Sequence, residues 1–216
     1  MKTRVKVCCI SSVDEARLAV QHGASAVGLV SAMPSGPGVI PDALIATIAA
    51  GVPPGVATFL LTSARSAAAI IEQQRRVRVN TLQLCDELED GAYHELRRAL
   101  PGIGLVQVIH VAGEESIGQA VNVAPFVDAI LLDSGNPRLL VKELGGTGRR
   151  HDWKISRRIR DAVPVPIYLA GGLLAENVTE AIATVRPFGL DVCSGVRSNG
   201  GLDADKLHAF FTAMQP

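Results

Sequence analysis

Short apolar runs alternate with longer amphipathic segments along the whole chain. Aromatic residues make up only 4% of the composition, so these runs consist mainly of Val, Ile, Leu and Ala. That composition is typical of strands buried on both faces of a parallel sheet. Eight runs have the length of strands, and each precedes a stretch with helical spacing, which predicts repeated βα units. The eight runs are residues 4–10, 26–30, 56–61, 81–85, 104–111, 128–132, 166–170 and 190–193.

Several helix boundaries can be read directly from the sequence. Ser12 followed by Glu15 forms a capping box, which predicts the start of the first helix. Pro41 and Asp42 predict the start of the second helix, and Gly51 its end. The last helix is predicted over about residues 204–214, where the apolar residues fall on one stripe.

Eight such units without a linker predict a single (β/α)8 TIM barrel domain over residues 1–216. The alternative is a doubly wound open sheet, which would place a Gly-rich turn after the first strand. The sequence there is Cys-Cys-Ile-Ser-Ser, at residues 8–12, which is not such a turn. The pattern therefore favours the closed barrel.

Charge and cysteine usage exclude several classes of function. Lys plus Arg and Asp plus Glu number 21 each, and this balance argues against nucleic acid as the main partner. There is no signal peptide and no apolar run of membrane length, so we expect a soluble cytoplasmic protein without membrane contact. The four cysteines lack a Cys-x-x-Cys spacing, so no structural metal is expected.

Two residues at predicted strand ends are candidates for acid–base chemistry. Catalytic residues of these barrels lie at the carboxyl ends of the strands, where Cys8 and Asp133 both fall. A thiol can act as a base and a carboxyl group as an acid when their pKa values are tuned. Taken singly, Cys8 is also compatible with a small core residue and Asp133 with a loop cap. Together they suggest proton transfer.

Three glycine-containing turns follow the last three predicted strands. Glycine lets backbone N–H groups approach an anion, and barrels commonly bind phosphate at the last two loops. The alternative is that these glycines only form tight turns. Because three such turns adjoin one another, they favour a phosphorylated small-molecule ligand. The residues concerned are Gly145, Gly146, Gly171, Gly172, Ser194 and Gly195.

Five motifs resemble those of the phosphoribosylanthranilate isomerase family. Residues 6–10, Lys-Val-Cys-Cys-Ile, resemble its K-[IV]-C-G-I strand, and residues 131–134 resemble its sixth-strand acid motif. Residues 145–153 are similar to its G-G-T-G-x(3)-D-W signature, and residues 169–173 to its Leu-Ala-Gly-Gly-Leu turn. Residues 191–196, Asp-Val-Cys-Ser-Gly-Val, resemble D-V-S-S-G-V. The likeness therefore extends over nearly the whole chain in the family's order.

The resemblance implies an Amadori rearrangement of an N-glycosylamine to an aminodeoxyketose, as a step of tryptophan biosynthesis. Asp133 would protonate the furanose ring oxygen, and Cys8 would remove the C2′ proton. The three glycine turns would bind the ribose phosphate. No metal or organic cofactor is implied, because the substrate nitrogen serves as electron sink. We expect the chain to act as a monomer or a homodimer.

The sequence departs from the family pattern on the side that would bind anthranilate. Pro37 stands where the family has an Arg that pairs with the anthranilate carboxylate, and Cys85 replaces a His. Cys9 replaces a Gly, and Arg197 a common Glu. One hypothesis is that Arg197 supplies the missing cation from the eighth loop.

These departures leave three interpretations open. The first is a phosphoribosylanthranilate isomerase with a rebuilt anthranilate pocket. The second is a sugar-phosphate isomerase acting on another aglycone, and the third is a paralogue that binds a phosphorylated ligand without turnover. All four cysteines are predicted at the catalytic rim, where a thiol cluster could also bind a soft metal or sense redox state.

Overall fold

The computed structural model describes residues 3–146 and 148–214. Its strands form a closed parallel barrel in sequential order, sealed by pairing of the first strand with the eighth. The (β/α)8 prediction is confirmed, and the open doubly wound sheet was the wrong alternative. The barrel strands are β1 (Arg4–Val7), β2 (Ala26–Val30), β3 (Ala57–Thr62), β4 (Thr81–Leu84), β5 (Gly104–His110), β6 (Ala129–Asp133), β7 (Ile167–Leu169) and β8 (Gly189–Val192).

The helices surround the barrel and begin where the capping signals predict. The Ser12 side chain accepts a hydrogen bond from the Glu15 backbone N–H, and the second helix spans the predicted residues. The helices are α1 (Val13–Gln21), α2 (Asp42–Gly51), α3 (Ala67–Val77), α4 (Ala92–Ala99), α5 (Glu115–Val123), α6 (Trp153–Ala162), α7 (Val178–Val185) and α8 (Ala204–Ala213).

The first strand ends earlier than its apolar run predicts. The run extends to Ile10, but β1 ends at Val7 because Cys9 adopts a φ of 61°, in the left-handed region. The Cys8 N–H still donates to the Val192 carbonyl at 2.8 Å. The chain therefore turns at Cys9 and stays within the barrel mouth.

A short hairpin after the eighth strand has no counterpart in the sequence pattern. It consists of β9 (Arg197–Ser198) and β10 (Gly201–Leu202), which pair antiparallel. Strands of two residues are too short to show a hydrophobic period, so sequence reasoning missed them.

Apolar side chains fill both the barrel interior and the layer between the sheet and the helices. Phe59, Val106, Leu131 and Tyr168 belong to the interior cluster, which extends up to the thiols at the mouth. The larger cluster lies between strands and helices and holds the barrel rigid beneath its loops. No helix among the described residues is both long enough and apolar enough to cross a membrane.

Candidate functional site

A pocket at the carboxyl ends of the strands brings the two acid–base candidates together. Cys8 follows β1 and Asp133 ends β6, and both line this pocket. Most of the predicted phosphate-binding residues line the same cavity, namely Gly145, Gly146, Gly171, Gly172 and Ser194. The barrel closure therefore places residues from opposite ends of the chain around one volume.

The Asp133 carboxylate is held against the loop that follows β6. Its Oδ1 accepts a hydrogen bond from the Ser134 N–H at 2.7 Å, and the residue is 9% exposed. Its other oxygen faces Gly145, where an added Cβ would lie 2.5 Å from Oδ2. The φ of Gly145 is +124°, which L residues rarely adopt. This glycine therefore gives the carboxylate the space that it occupies.

Substitution Gly145→Ala is expected to displace the Asp133 carboxylate. A shift of about 1 Å in a reacting group can lower turnover by about 10²-fold, so kcat should fall by that order. Steady-state kinetics with the isomerase substrate of the family would measure it. Gly55→Ala is the matched control, since Gly55 also has a positive φ but no atom within 4 Å of an added Cβ. If both variants lose activity equally, the Asp133 contact is not the cause.

A buried charge pair lies directly beneath Cys8. Lys6 is fully buried, and its Nζ lies 2.8 Å from Asp191 Oδ1. Burial opposes charge on Lys6, but the Asp191 carboxylate more than offsets it and raises the pKa of Lys6. A Cβ added at Gly28 would lie 2.9 Å from both Cys8 Sγ and Lys6 Nζ. The sulfur and the ammonium group therefore both approach this backbone position.

Lys6 and Asp191 were not singled out as functional residues from the sequence. Each is a charged residue between two apolar residues of a strand, which is a signal for an inward-facing polar group. Because buried charges are costly unless paired, one such residue predicts a partner of opposite sign. The sequence does not show that the partner lies 185 positions away.

The glycine turns after β7 and β8 line another side of the pocket that contains Cys8 and Asp133. Gly171 and Gly172 have φ values of +85° and +63°, and a Cβ at Gly172 would lie 2.9 Å from the Gly148 carbonyl oxygen. The turns are therefore packed too closely for larger residues. Gly195 is not among the described lining residues, because it packs against the Leu173 carbonyl. Thr147 of the glycine motif lies outside the described residues.

A family model and several known proteins match this chain over most of its length. The model described as N-(5'phosphoribosyl)anthranilate (PRA) isomerase matches residues 5–213. The chain belongs to the N-(5'-phosphoribosyl)anthranilate isomerase family. Its relative from Haloferax volcanii, named N-(5'-phosphoribosyl)anthranilate isomerase, is 37% identical over 98% of this chain and 92% of that protein.

Solved structures of phosphoribosylanthranilate isomerases have the same fold. One, in complex with reduced 1-(o-carboxyphenylamino)-1-deoxyribulose 5-phosphate, has a TM-score of 0.81 and 29% identity, with 98% of both chains covered. Another contains monomers generated from the dimeric enzyme of Thermotoga maritima. It has a TM-score of 0.79 and 28% identity, also with 98% of both chains covered.

Arg197 makes its hydrogen bonds with protein groups near the start of α1. It was the hypothetical replacement for the family's anthranilate-binding Arg. Its guanidinium donates to both Glu15 carboxylate oxygens, at 3.0 and 2.9 Å, and to the carbonyls of Cys9 and Gly200. It is absent from the described lining residues of the pocket. The hypothesis that it binds the substrate carboxylate therefore loses its basis. Its geometry instead fastens the β9–β10 hairpin to the start of α1.

Substitution Arg197→Ala is expected to lower stability and to leave KM unchanged. Hydrogen bonds to a charged group are worth about 2 kcal/mol, and the side chains of Arg197 and Glu15 are only 11% and 13% exposed. Urea unfolding and steady-state kinetics would separate the two effects. Arg97→Ala is the control, since its pair with Asp128 is much more exposed and should cost less. A raised KM with unchanged stability would restore the substrate-binding hypothesis.

The stability difference should also depend on pH. Burial raises the pKa of Glu15. The hydrogen bonds from Arg197 and from the N–H groups of Ser11 and Leu202 lower it by more, so the pKa of Glu15 lies below its usual value of 4.5. A carboxyl group whose pKa is depressed in the folded state stabilises the fold at pH values above its unfolded-state pKa. This stabilisation is lost as the pH falls through the folded-state pKa. The difference between wild type and Arg197→Ala should therefore be full at neutral pH and shrink below 4.5.

The anthranilate side of the pocket carries no cation among its described lining residues. Pro37 lines it where the family has Arg, and Cys85 lies outside it, buried toward a neighbouring cavity. Of the four predicted rim cysteines, Cys8, Cys9 and Cys193 line the pocket, while Cys85 follows β4 at the same end of the barrel without lining it. Among the described residues, no three His, Cys, Asp or Glu side chains are grouped to hold a metal ion.

Apolar side chains dominate this side of the cavity. Val30, Met33, Leu61 and Leu144 line it and form an apolar slot between the early and late loops. Gln83 adds a polar group, and its Oε1 is buried without a hydrogen-bond partner among the described residues. An unpaired buried amide oxygen is costly, so this atom is a candidate to accept a hydrogen bond from a ligand. The sequence did not single out Gln83.

Proposed function

We propose that this chain isomerises N-(5'-phosphoribosyl)anthranilate by acid–base catalysis. One observation carries the proposal: the barrel mouth assembles Asp133, Cys8 and the glycine turns around one pocket. The family membership supports the same reaction, since the matched relatives carry that name. The roles of individual residues are inferred from their placement and from the chemistry of the reaction.

Asp133 acts as the general acid in the first step. Its carboxyl group protonates the furanose ring oxygen, the C1′–O bond breaks, and the substrate nitrogen forms a Schiff base. The Ser134 N–H holds one oxygen of this carboxyl group, and Gly145 leaves space for the other. A general acid placed in this way contributes about 10²–10⁴-fold to the rate.

Cys8 acts as the base in the second step. Its thiolate removes the C2′ proton, and the electron pair moves toward the cationic nitrogen to give an enolamine, which tautomerises to the ketone. The positive charge of Lys6 lies beneath the Cys8 sulfur, where it attracts the thiolate that performs this step. The substrate nitrogen is the electron sink, so the chemistry requires no cofactor.

The two ends of the substrate bind to different loops. The turns at Gly171–Gly172 and Ser194 present backbone groups to the ribose phosphate. The aromatic ring packs in the slot formed by Val30, Met33 and Leu61, with Gln83 as the polar contact. The backbone N–H of Gly195, next to Ser194, stays a predicted phosphate contact.

Turnover of N-(5'-phosphoribosyl)anthranilate, followed as loss of its anthranilate-type fluorescence, tests the proposal. The purified chain should convert the substrate without added metal or cofactor. A folded protein without turnover that ribose phosphate still stabilises against heat would support the non-catalytic binding paralogue. Turnover of another N-glycosylamine alone would support a different aglycone. Action as a monomer or homodimer and a cytoplasmic location stay predictions.

A further inference from the structure

Two cysteines from opposite ends of the chain meet at the rim of the pocket. Cys9 and Cys193 are 184 positions apart, and their sulfurs lie 2.8 Å from each other. Cys9 follows β1 and Cys193 follows β8, so the pair bridges the seam where the barrel closes. Both residues also depart from the family motifs, which have Gly and Ser at these two places. The two residues that differ from the family motifs are therefore in direct contact.

The backbone holds the Cys9 sulfur toward its partner. Cys9 has a φ of 61°, in the left-handed region that a residue with a Cβ rarely adopts, and it is 5% exposed. Gly38 packs on its other side, where an added Cβ would lie 2.6 Å from Cys9 Cβ. Cys193 is half-buried, and like Cys9 it lines the pocket.

We propose that Cys9 and Cys193 are a modification site, at which a peroxide forms a reversible disulfide that leaves the catalytic Cys8 thiol free. A disulfide needs the two Cβ atoms about 3.8 Å apart and the sulfurs about 2.0 Å apart. The sulfurs have to close by less than 1 Å from their present 2.8 Å. The proposal does not depend on the isomerase reaction proposed above.

The reaction balances with a peroxide as the oxidant. The Cys193 thiolate attacks one peroxide oxygen, the O–O bond breaks, and water leaves after protonation of the released oxygen. The resulting sulfenic acid at Cys193 is attacked by the Cys9 thiolate. The S–S bond forms, the S–O bond breaks, and a second water leaves. Two thiols and one hydrogen peroxide thus give one disulfide and two waters.

The surroundings select Cys193 as the attacking sulfur. The contact with the Cys9 sulfur and the charge of Arg197 lower the pKa of Cys193. The same contact raises the pKa of Cys9, and a hydrogen bond with Cys8 and burial raise it further. The more exposed sulfur is therefore also the better nucleophile. Cys9 is the resolving thiol, which reacts once its partner has been oxidised.

Treatment of the purified protein with one equivalent of hydrogen peroxide tests the proposal. Of the four free thiols, two should disappear, and dithiothreitol should restore them. The melting temperature should rise by about 5 °C or more, because the bond closes a very long loop across the barrel seam. Non-reducing mass spectrometry should find the cross-link within one chain.

Variants identify the paired sulfurs. Cys9→Gly and Cys193→Ser each insert the residue that the family motif has, and Cys9→Gly also suits the positive φ, so both should fold. Each should abolish the cross-link and the temperature shift. Trypsin leaves Cys8 and Cys9 on one peptide, residues 7–17, so Cys8→Ser is needed to tell them apart and should retain the cross-link. Cys85→Ser is the matched control at a buried thiol and should retain it as well.

Three results would overturn the proposal. One is that all four thiols survive the peroxide in the folded protein. Another is loss of the cross-link in Cys8→Ser, which would assign the bond to Cys8. The third is a cross-link between two chains, which size separation under non-reducing conditions detects. None of these results bears on isomerase turnover, which is measured separately with reduced protein.

Discussion

Substitution Asp133→Asn should lower kcat about 10³-fold with little change in stability. An amide has nearly the shape of the carboxyl group, so the Ser134 N–H at 2.7 Å keeps its acceptor. It cannot deliver a proton to the ring oxygen, so ring opening loses its general acid. Cys8→Ala should have an effect of similar size, because the C2′ proton then has no base. Single-turnover measurements of substrate fluorescence would give both rates.

The residue just before the same strand provides a matched control. Asp128 precedes β6 at the opposite end of the barrel, where it pairs with Arg97 and caps the Leu105 N–H. Asp128→Asn makes the same chemical change far from the pocket and should leave kcat unchanged. If Asp133→Asn retains most of its activity, a different residue is the acid. If Asp128→Asn loses as much activity, the effect comes from the barrel and not from the site.

Substitution Lys6→Met should destabilise the protein by about 3–5 kcal/mol, the usual cost of leaving one member of a buried ion pair alone. Asp191 is 9% exposed, and Lys6 Nζ, at 2.8 Å, supplies its one ion pair among the described residues. Urea unfolding measures the difference in free energy. Lys6 is fully buried, and methionine has a side chain of similar length, so the substitution leaves little empty volume.

A double variant and a pH series separate charge from packing. Lys6→Met with Asp191→Asn removes both charges and should recover much of the lost stability. In Lys6→Met alone, burial without a cation raises the pKa of Asp191, so the folded state binds a proton more readily than the unfolded chain. The stability deficit should therefore shrink as pH falls toward 4. A deficit that persists at low pH and in the double variant would assign the effect to packing.

Much of the fold could be predicted because its signals are local. The apolar runs gave all eight barrel strands, and Ser12 and Asp42 marked helix starts within a residue. The strand ends in turn placed Cys8 and Asp133 at one face, since parallel strands share their carboxyl edge. The end of β1 was predicted three residues too late, because Cys9 is apolar and nothing in its type shows a positive φ.

Side-chain partners could not be predicted in the same way. Arg197 was a plausible substrate-binding cation by its position after the eighth strand, yet Glu15 of α1 holds it. Cys85 occupies the place of a family site residue, but its side chain lies outside the pocket. In each case the identity of the neighbour depends on how distant segments pack, which no single segment encodes.

The sequence by itself determined the barrel, the mouth at which its chemistry lies, and the family. Those features follow from hydrophobic period, capping residues and short motifs, all of which act over a few residues. Only the tertiary structure decided which distant groups meet: Lys6 with Asp191, and Cys9 with Cys193. The physical reason is that closing β1 onto β8 joins residues more than 180 positions apart, and their distance is set by the packing of the whole barrel.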